Sequence, residues 1–247
     1  MLEAIIWAKR KKEDFLKKKE IEERQEQNRR MLIEKQWSFE QTKGYMLYRS
    51  ANLPLFNGKF EIDSSNEILF DTLCYYFSND DRFIQSAISI GVESPSLTKG
   101  IMLAGNCGVG KTWMVKLFQK NQRQIFVIRN AKVISDGFEE NGQEYIDEYC
   151  KPIQNAFQDI SCFLQKESGL CIDDIGTEDV KNHYGNKKNV VGDIIEKRYS
   201  NGHVGIMLHA TTNFSSDQLK SFYGERVTSR MREIFNFFDL GGDDRRK

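Results

Sequence analysis

Eight consecutive residues, Gly105-Asn106-Cys107-Gly108-Val109-Gly110-Lys111-Thr112, fit G-x-x-x-x-G-K-[ST] without a mismatch. Glycines at this spacing let backbone N–H groups turn inward around phosphate oxygens, helped by the N-terminus of a following helix. Lys111 is then expected to reach the β- and γ-phosphates of a nucleoside triphosphate, and Thr112 to offer its hydroxyl to Mg²⁺. The expected nucleotide contacts run from Gly105 through Asn106, Cys107, Gly108, Val109, Gly110, Lys111 and Thr112 to Trp113. Two more polar clusters close apolar runs: Asp173-Asp174 and Thr212-Asn213. Asp173 suits a Mg²⁺ ligand, direct or through water. Asp174 suits the polarising of an attacking water, a role more often given to Glu. Either aspartate could instead be a turn or capping residue, and Asn213 could position water beside the γ-phosphate or simply cap the next helix. Arg226 and Arg230 stand at i and i+4, on one face if the stretch is helical. Such a face can offer paired donors to a phosphate, or it can be a solvated basic surface.

These residues need a scaffold, and the pattern around them supplies one. Apolar runs at 100–104, 124–128, 169–174, 205–210 and 235–240 read as strands. Helical spacing covers 113–118, a start at 130–133, 153–165, 189–199, 216–222 and 225–234, while the acidic stretch 138–151 fits helix or loop. Upstream, Asp63-Ser64-Ser65 can cap a helix over 66–77, and a second helix is expected over 82–90. Residues 182–186 read as a loop and 38–60 as a linker. Strands alternating with helices predict an α/β fold, a parallel sheet between helices, with ligands outside the carboxyl ends of the strands. The three polar clusters all fall at such ends.

Residues 3–37 hold no Pro or Gly and are crowded with Lys, Arg, Glu and Gln, so they read as helix. Their sparse apolar residues, among them Ile5, Ile6, Phe15 and Leu16, fit a solvated helix or one that buries them on a partner. The division expected is a helical extension and linker at 1–60, as the partner-binding part, and a nucleotide-binding domain at 61–247. With 36 Lys+Arg against 36 Asp+Glu, whole-chain charge predicts neither nucleic-acid nor membrane binding. The five cysteines lack metal-ligand spacing, and their odd, scattered count suits a reducing cytoplasm. No apolar run approaches membrane-spanning length, so a soluble cytoplasmic protein without membrane contact is expected.

The order of motifs resembles the AAA+ replicative helicase-loader family of DnaC and DnaI, with the related transposition-helper ATPase IstB. The resemblance rests on the P-loop, Asp173-Asp174-Ile175-Gly176-Thr177-Glu178, Thr212-Asn213, and Gly224-Glu225-Arg226-Val227-x-Ser229-Arg230. Gly241-x-Asp243-x-Arg245 resembles the family's closing motif, and the match covers roughly 64–247. It implies an AAA+ P-loop NTPase core with little or no lid, and ATP with Mg²⁺ as cofactors. Lys111, Asp173, Asp174 and Asn213 would be catalytic, with Arg230 as arginine finger and Arg226 as the weaker candidate. Arg245 would be a second sensor touching phosphate from the same subunit. The implied activity is ATP hydrolysis coupled to assembly into an ATP-dependent oligomer, with a replicative hexameric DNA helicase and single-stranded DNA as partners. The amino-terminal part matches no family motif. The stretch 131–166, where initiator-type members contact single-stranded DNA, is acidic here, so Lys181, Lys187, Lys188, Lys197 and Arg198 are the better basic candidates, or else a solvated face. A transposition helper and a nucleotide-dependent adaptor that does not hydrolyse are the alternatives.

Overall fold

The computed structural model describes residues 19, 36–52, 61–154, 167–183 and 186–245. The charged stretch expected to be helical lies almost wholly outside the described residues, as does most of 153–165. The chain divides into two units, Met1–Gln36 and Trp37–Lys247, and every element below belongs to the second.

Helix α1 (Phe39–Asn52) occupies much of the stretch read as a linker. Its start is a reciprocal cap: Ser38 Oγ accepts the Gln41 N–H, and Gln41 Oε1 accepts the Ser38 N–H. Arg49 on this helix donates to the carbonyls of Leu117 and Lys116, fixing α1 to the helix that follows the P-loop. Helices α2 (Glu67–Phe77) and α3 (Arg82–Ser89) come next. Asp63 does not cap α2; Asn66 stands at the cap position, and its side-chain oxygen accepts the Asp63 N–H.

The α/β part then alternates as expected: β1 (Gly100–Gly105), α4 (Lys111–Phe118), β2 (Phe126–Asn130), α5 (Ala131–Tyr149), β3 (Ile153–Gln154) and β4 (Glu167–Ile175). A short antiparallel pair, β5 (Lys181–His183) with β6 (Asn186–Lys188), replaces the expected loop. Helix α6 (Val190–Ser200), a 3₁₀ turn, β7 (Leu208–Thr212), α7 (Ser216–Ile234) and β8 (Phe235–Leu240) complete it. The acidic stretch is helical, as the body of α5. Residues 153 and 154 are strand rather than helix: both pair antiparallel with the start of β4, Ile153 with Ser168 and Gln154 with Glu167.

The main sheet runs β2-β4-β7-β1-β8, with all four of these pairings parallel. It lies between two cores. Ile101 and Leu103 face the helices α1 to α4, and Met102 faces α5 to α7, so β1 is buried on both sides and reads as an unbroken apolar run. Parallel pairing brings the carboxyl ends into one row: Asn130 opposite Asp173, Ile175 opposite Thr212, Thr212 opposite Ala104, and Gly105 opposite Leu240. No helix among the described residues is long and apolar enough to cross a membrane, and no helix follows β8 before Arg245.

Candidate nucleotide-binding site

Beyond Gly105 the chain turns through the glycine loop, and α4 starts at Lys111. Gly108 (φ +86°) and Gly110 (φ +103°) occupy the left-handed region that lets the loop curl on itself. Gly108 is constrained twice, since a Cβ there would stand 2.0 Å from the Asp244 carboxylate. Val109 points away and anchors the loop in the core, and Trp113 packs partly buried against the same core. Asn106 and Cys107 are exposed.

Lys111 is 5% exposed. Its Nζ donates to the carbonyls of Gly105 (2.8 Å) and Asn106 (2.7 Å) and to Oδ1 of Asn213 (2.6 Å). The ammonium therefore joins the loop to the end of β7. Asn213 is not the cap of α7; Ser215 and Gln218 form that cap reciprocally. Asn213, Gly105 and Asn106 also line one end of a 730 Å³ groove that runs beside β8 as far as Lys99 and Arg232.

Thr112 donates its hydroxyl to both oxygens of Asp173, at 3.0 and 3.1 Å. Thr211, fully buried, donates to Asp173 Oδ1 at 2.7 Å and accepts the Asp174 N–H at 2.8 Å. The pairing of β4 with β7 shifts register between Ile172 and Ile175, and Asp174 sits in that irregularity at φ +58°. Asp174 is also the turn residue that its type allows, its carbonyl accepting from both the N–H and the hydroxyl of Thr177. Thr211 was not among the residues singled out from sequence. Its only signal is a hydroxyl residue just before Thr212-Asn213, on a strand end that parallel pairing sets beside β4. A hydroxyl beside a carboxylate is a hard oxygen donor set of the kind Mg²⁺ takes.

The arginines lie elsewhere. Arg230 is in the last turns of α7, just before Phe235, which pairs with Gly100 at the start of β1. The P-loop leaves β1 at Gly105, about 16 Å further along the strand. Arg230 is thus near the opposite end of the strands. Its guanidinium stacks on Tyr199 at 4.1 Å from the ring centroid and donates to the Tyr199 hydroxyl, which donates to Glu233. Arg226 pairs with Glu196 at 2.7 Å. Arg245 does return to the loop: its backbone N–H donates to the Gly108 carbonyl at 3.0 Å. Its side chain donates to Asp63 and Ser65. Hydrogen bonds from Ser65 and Arg245 hold the Asp63 carboxyl down at about 2. Of the basic candidates, Arg198 is fully buried and donates to four backbone carbonyls, and Lys197 pairs with Asp147. Neither belongs to a free basic face.

The loop, the carboxylates and Asn213 converge at one end of a parallel sheet between helices, which defines a P-loop α/β nucleotide-binding fold. No protein-family model matches the chain, and no curated protein matches it. Among solved structures it is similar to a crystal structure of DnaI, at 22% identity and TM-score 0.44 over 68% of this chain and 86% of that one. It is also similar to a crystal structure of the DnaC helicase loader, at 19% identity and TM-score 0.47 over 79% of this chain and 99% of that one. A third is AMPPCP-bound DnaA from Aquifex aeolicus, at 15% identity and TM-score 0.43 over 75% and 50%. The first two are the proteins whose family the motif order resembles.

Proposed function

We propose that the chain is an AAA+ ATPase that loads a replicative DNA helicase, with ATP binding driving self-assembly and hydrolysis driving release. The observation that carries this reading is the separation of Lys111, Thr112, Asp173 and Asn213 at one end of the sheet from Arg230 at the other. An arginine so far from its own loop serves a phosphate only when a second copy docks against it. In this reading Lys111 and the loop N–H groups bind and neutralise the β- and γ-phosphates, and Thr112 with Asp173 would hold Mg²⁺, which when bound offsets phosphate charge. Asp174 accepts the proton of the attacking water, and Asn213 orients that water. Arg230 of a neighbouring copy stabilises the charge that develops on the transferred group. Arg226, paired with Glu196, is the weaker finger on the order of motifs alone. Arg245 acts as the second sensor by exchanging Asp63 for a phosphate oxygen.

The order of motifs supports the helicase as partner, and we assign residues 1–60 to it. Single-stranded DNA as ligand and the cytoplasm as location complete the reading. The test is retention on the immobilised full-length chain with ATP and Mg²⁺. Retention of a hexameric helicase supports loading, and retention of a transposase in its place replaces it with a transposition helper. A DNA-stimulated turnover no higher than that of Asp174→Asn leaves a nucleotide-dependent adaptor.

A further inference from the structure

Between the aspartates and the arginines lies a buried contact that the proposed chemistry does not use. The Gly176 N–H, in the turn after Asp174, is shared by Glu178 Oε2 at 2.7 Å and the Tyr223 hydroxyl at 3.0 Å. Tyr223 in turn donates to the other oxygen of Glu178. Glu178 is 2% exposed and Tyr223 8%. Burial pushes the Glu178 carboxyl up, and the bonds from Tyr223 and the turn amides pull it back. A buried carboxyl is tolerated here because both oxygens are bonded.

Tyr223 ends the first half of α7. Gly224, at φ +82° and ψ +166°, breaks the helix, and a Cβ there would meet nothing within 4 Å. The first half begins just past Asn213, and the second half carries Arg226 and Arg230. Phe214, next to Asn213, packs on the turn so closely that a Cβ at Gly176 would come within 2.6 Å of its ring. Three segments therefore meet at one joint: the turn after the aspartates, the segment after Asn213, and α7 at its break. The turn has little freedom of its own, because Thr211 holds Asp173 and Asp174. Open space around Gly224 leaves the break as the place where a displacement can be taken up.

We infer that the Glu178–Tyr223 contact is the joint through which the Asp173–Asp174 end of β4 sets the direction of the arginine-bearing half of α7. Glu178 and Tyr223 are positioning residues: they touch no nucleotide and act through the turn and the helix. Its effect on turnover rests on the ATPase reading above, whereas the mechanical coupling does not.

The experiment uses the full chain and two near-isosteric variants, Tyr223→Phe and Glu178→Gln, singly and together. Three quantities are read: affinity for a fluorescent ATP analogue with Mg²⁺, amide hydrogen exchange with and without a non-hydrolysable ATP analogue, and turnover at assembling concentrations. In the wild type, nucleotide should slow exchange over 225–234 as well as at the loop. In Tyr223→Phe the affinity should persist, the slowing over 225–234 should vanish, and turnover should fall about 5- to 100-fold. The double variant should be no worse than the worse single one, because both remove the same joint. A Tyr223→Phe protein that still passes protection to 225–234, or single effects that add, overturns the joint. So does a wild type that binds nucleotide with no change over 225–234, even if it hydrolyses ATP. A wild type that passes protection but shows no turnover supports the joint and removes the ATPase reading.

Discussion

Thr211 donates its hydroxyl to Asp173 at 2.7 Å from a fully buried position on the neighbouring strand. The same oxygen accepts the Asp174 N–H, so one side chain fixes the orientation of both aspartates. Thr211→Val keeps the shape and removes these bonds. It should lower stability by about 1–3 kcal/mol, because a buried amide and part of a carboxylate lose their partner. It should also weaken the Mg²⁺ dependence of nucleotide binding. Thr211→Ser should restore both, as measured by thermal melting and by titration of nucleotide at several Mg²⁺ concentrations.

Asp174 lies at φ +58°, a conformation Asn and Asp adopt more readily than Ala. Asp174→Asn is therefore the cleaner probe of its carboxylate. It should keep the fold and ATP binding and cut turnover at least about 100-fold, the scale of a lost general base. Asp174→Ala should lose turnover and also melt earlier. Equal melting of the two variants would show that the strained backbone adds nothing.

Arg230 is held by Tyr199 and Glu233 on its own subunit, in a half-exposed stack. Arg230→Ala should cost less than about 1 kcal/mol of stability and leave nucleotide affinity of the monomer intact. Turnover should lose its dependence on protein concentration. An unchanged rate in the assembled protein would reject the finger.

Helix α1 shows how much the chain announces about itself. Ser38-Phe39-Glu40-Gln41 is a capping-box pattern, yet the polar stretch around it reads as linker because its burial comes from contacts with α2 and α4 that sequence does not display. The strands were readable because both faces of a parallel sheet are covered, which leaves near-continuous apolar runs. Phe235–Leu240 falls where expected to the residue. The break at Gly224 was likewise readable, two helices being expected where one bent helix stands. The P-loop, Asp173 and Asn213 stood out as polar residues at strand ends. Thr211 did not, since a threonine in a strand is an ordinary β-former and its role depends on register with β4. Arg198 misled for the opposite reason: in sequence it belongs to a basic cluster, and in the fold its guanidinium binds carbonyls.

Arg198 donates to the carbonyls of Tyr149, Lys151, His203 and Met207, closing the end of α5 against the turn before β7. Burial lowers its pKa to about 10 and leaves it charged at neutral pH. Arg198→Ala strands those carbonyls and should destabilise by about 3–5 kcal/mol. Denaturant titration measures it.

His209 is buried among Tyr76, Phe77 and Phe126, and its Nδ1 accepts the Ile101 N–H. Burial, with a smaller push from Arg123, lowers its pKa to about 3 from 6.5. The fold keeps this imidazole neutral while the unfolded chain protonates it below 6.5. Its contribution to stability is therefore complete above 6.5 and is lost as pH falls toward 3, at up to about 1.4 kcal/mol per unit. His209→Asn, which preserves an acceptor, should flatten that slope between pH 6.5 and 4.

The central position of β1 also bears on how the protein is made. Met102 pairs with Ala210 and Gly100 with Phe235, partners more than a hundred residues downstream. A chain leaving the ribosome holds β1 with both edges open until β7 and β8 have emerged. Pairings of such long range are slow and leave apolar edges exposed to other chains. Nascent protein thus carries the glycine loop long before the strand ends that flank it, at Asp173 and Asn213, have emerged. Aggregation during synthesis, rather than poor binding once folded, is the hazard built into this topology.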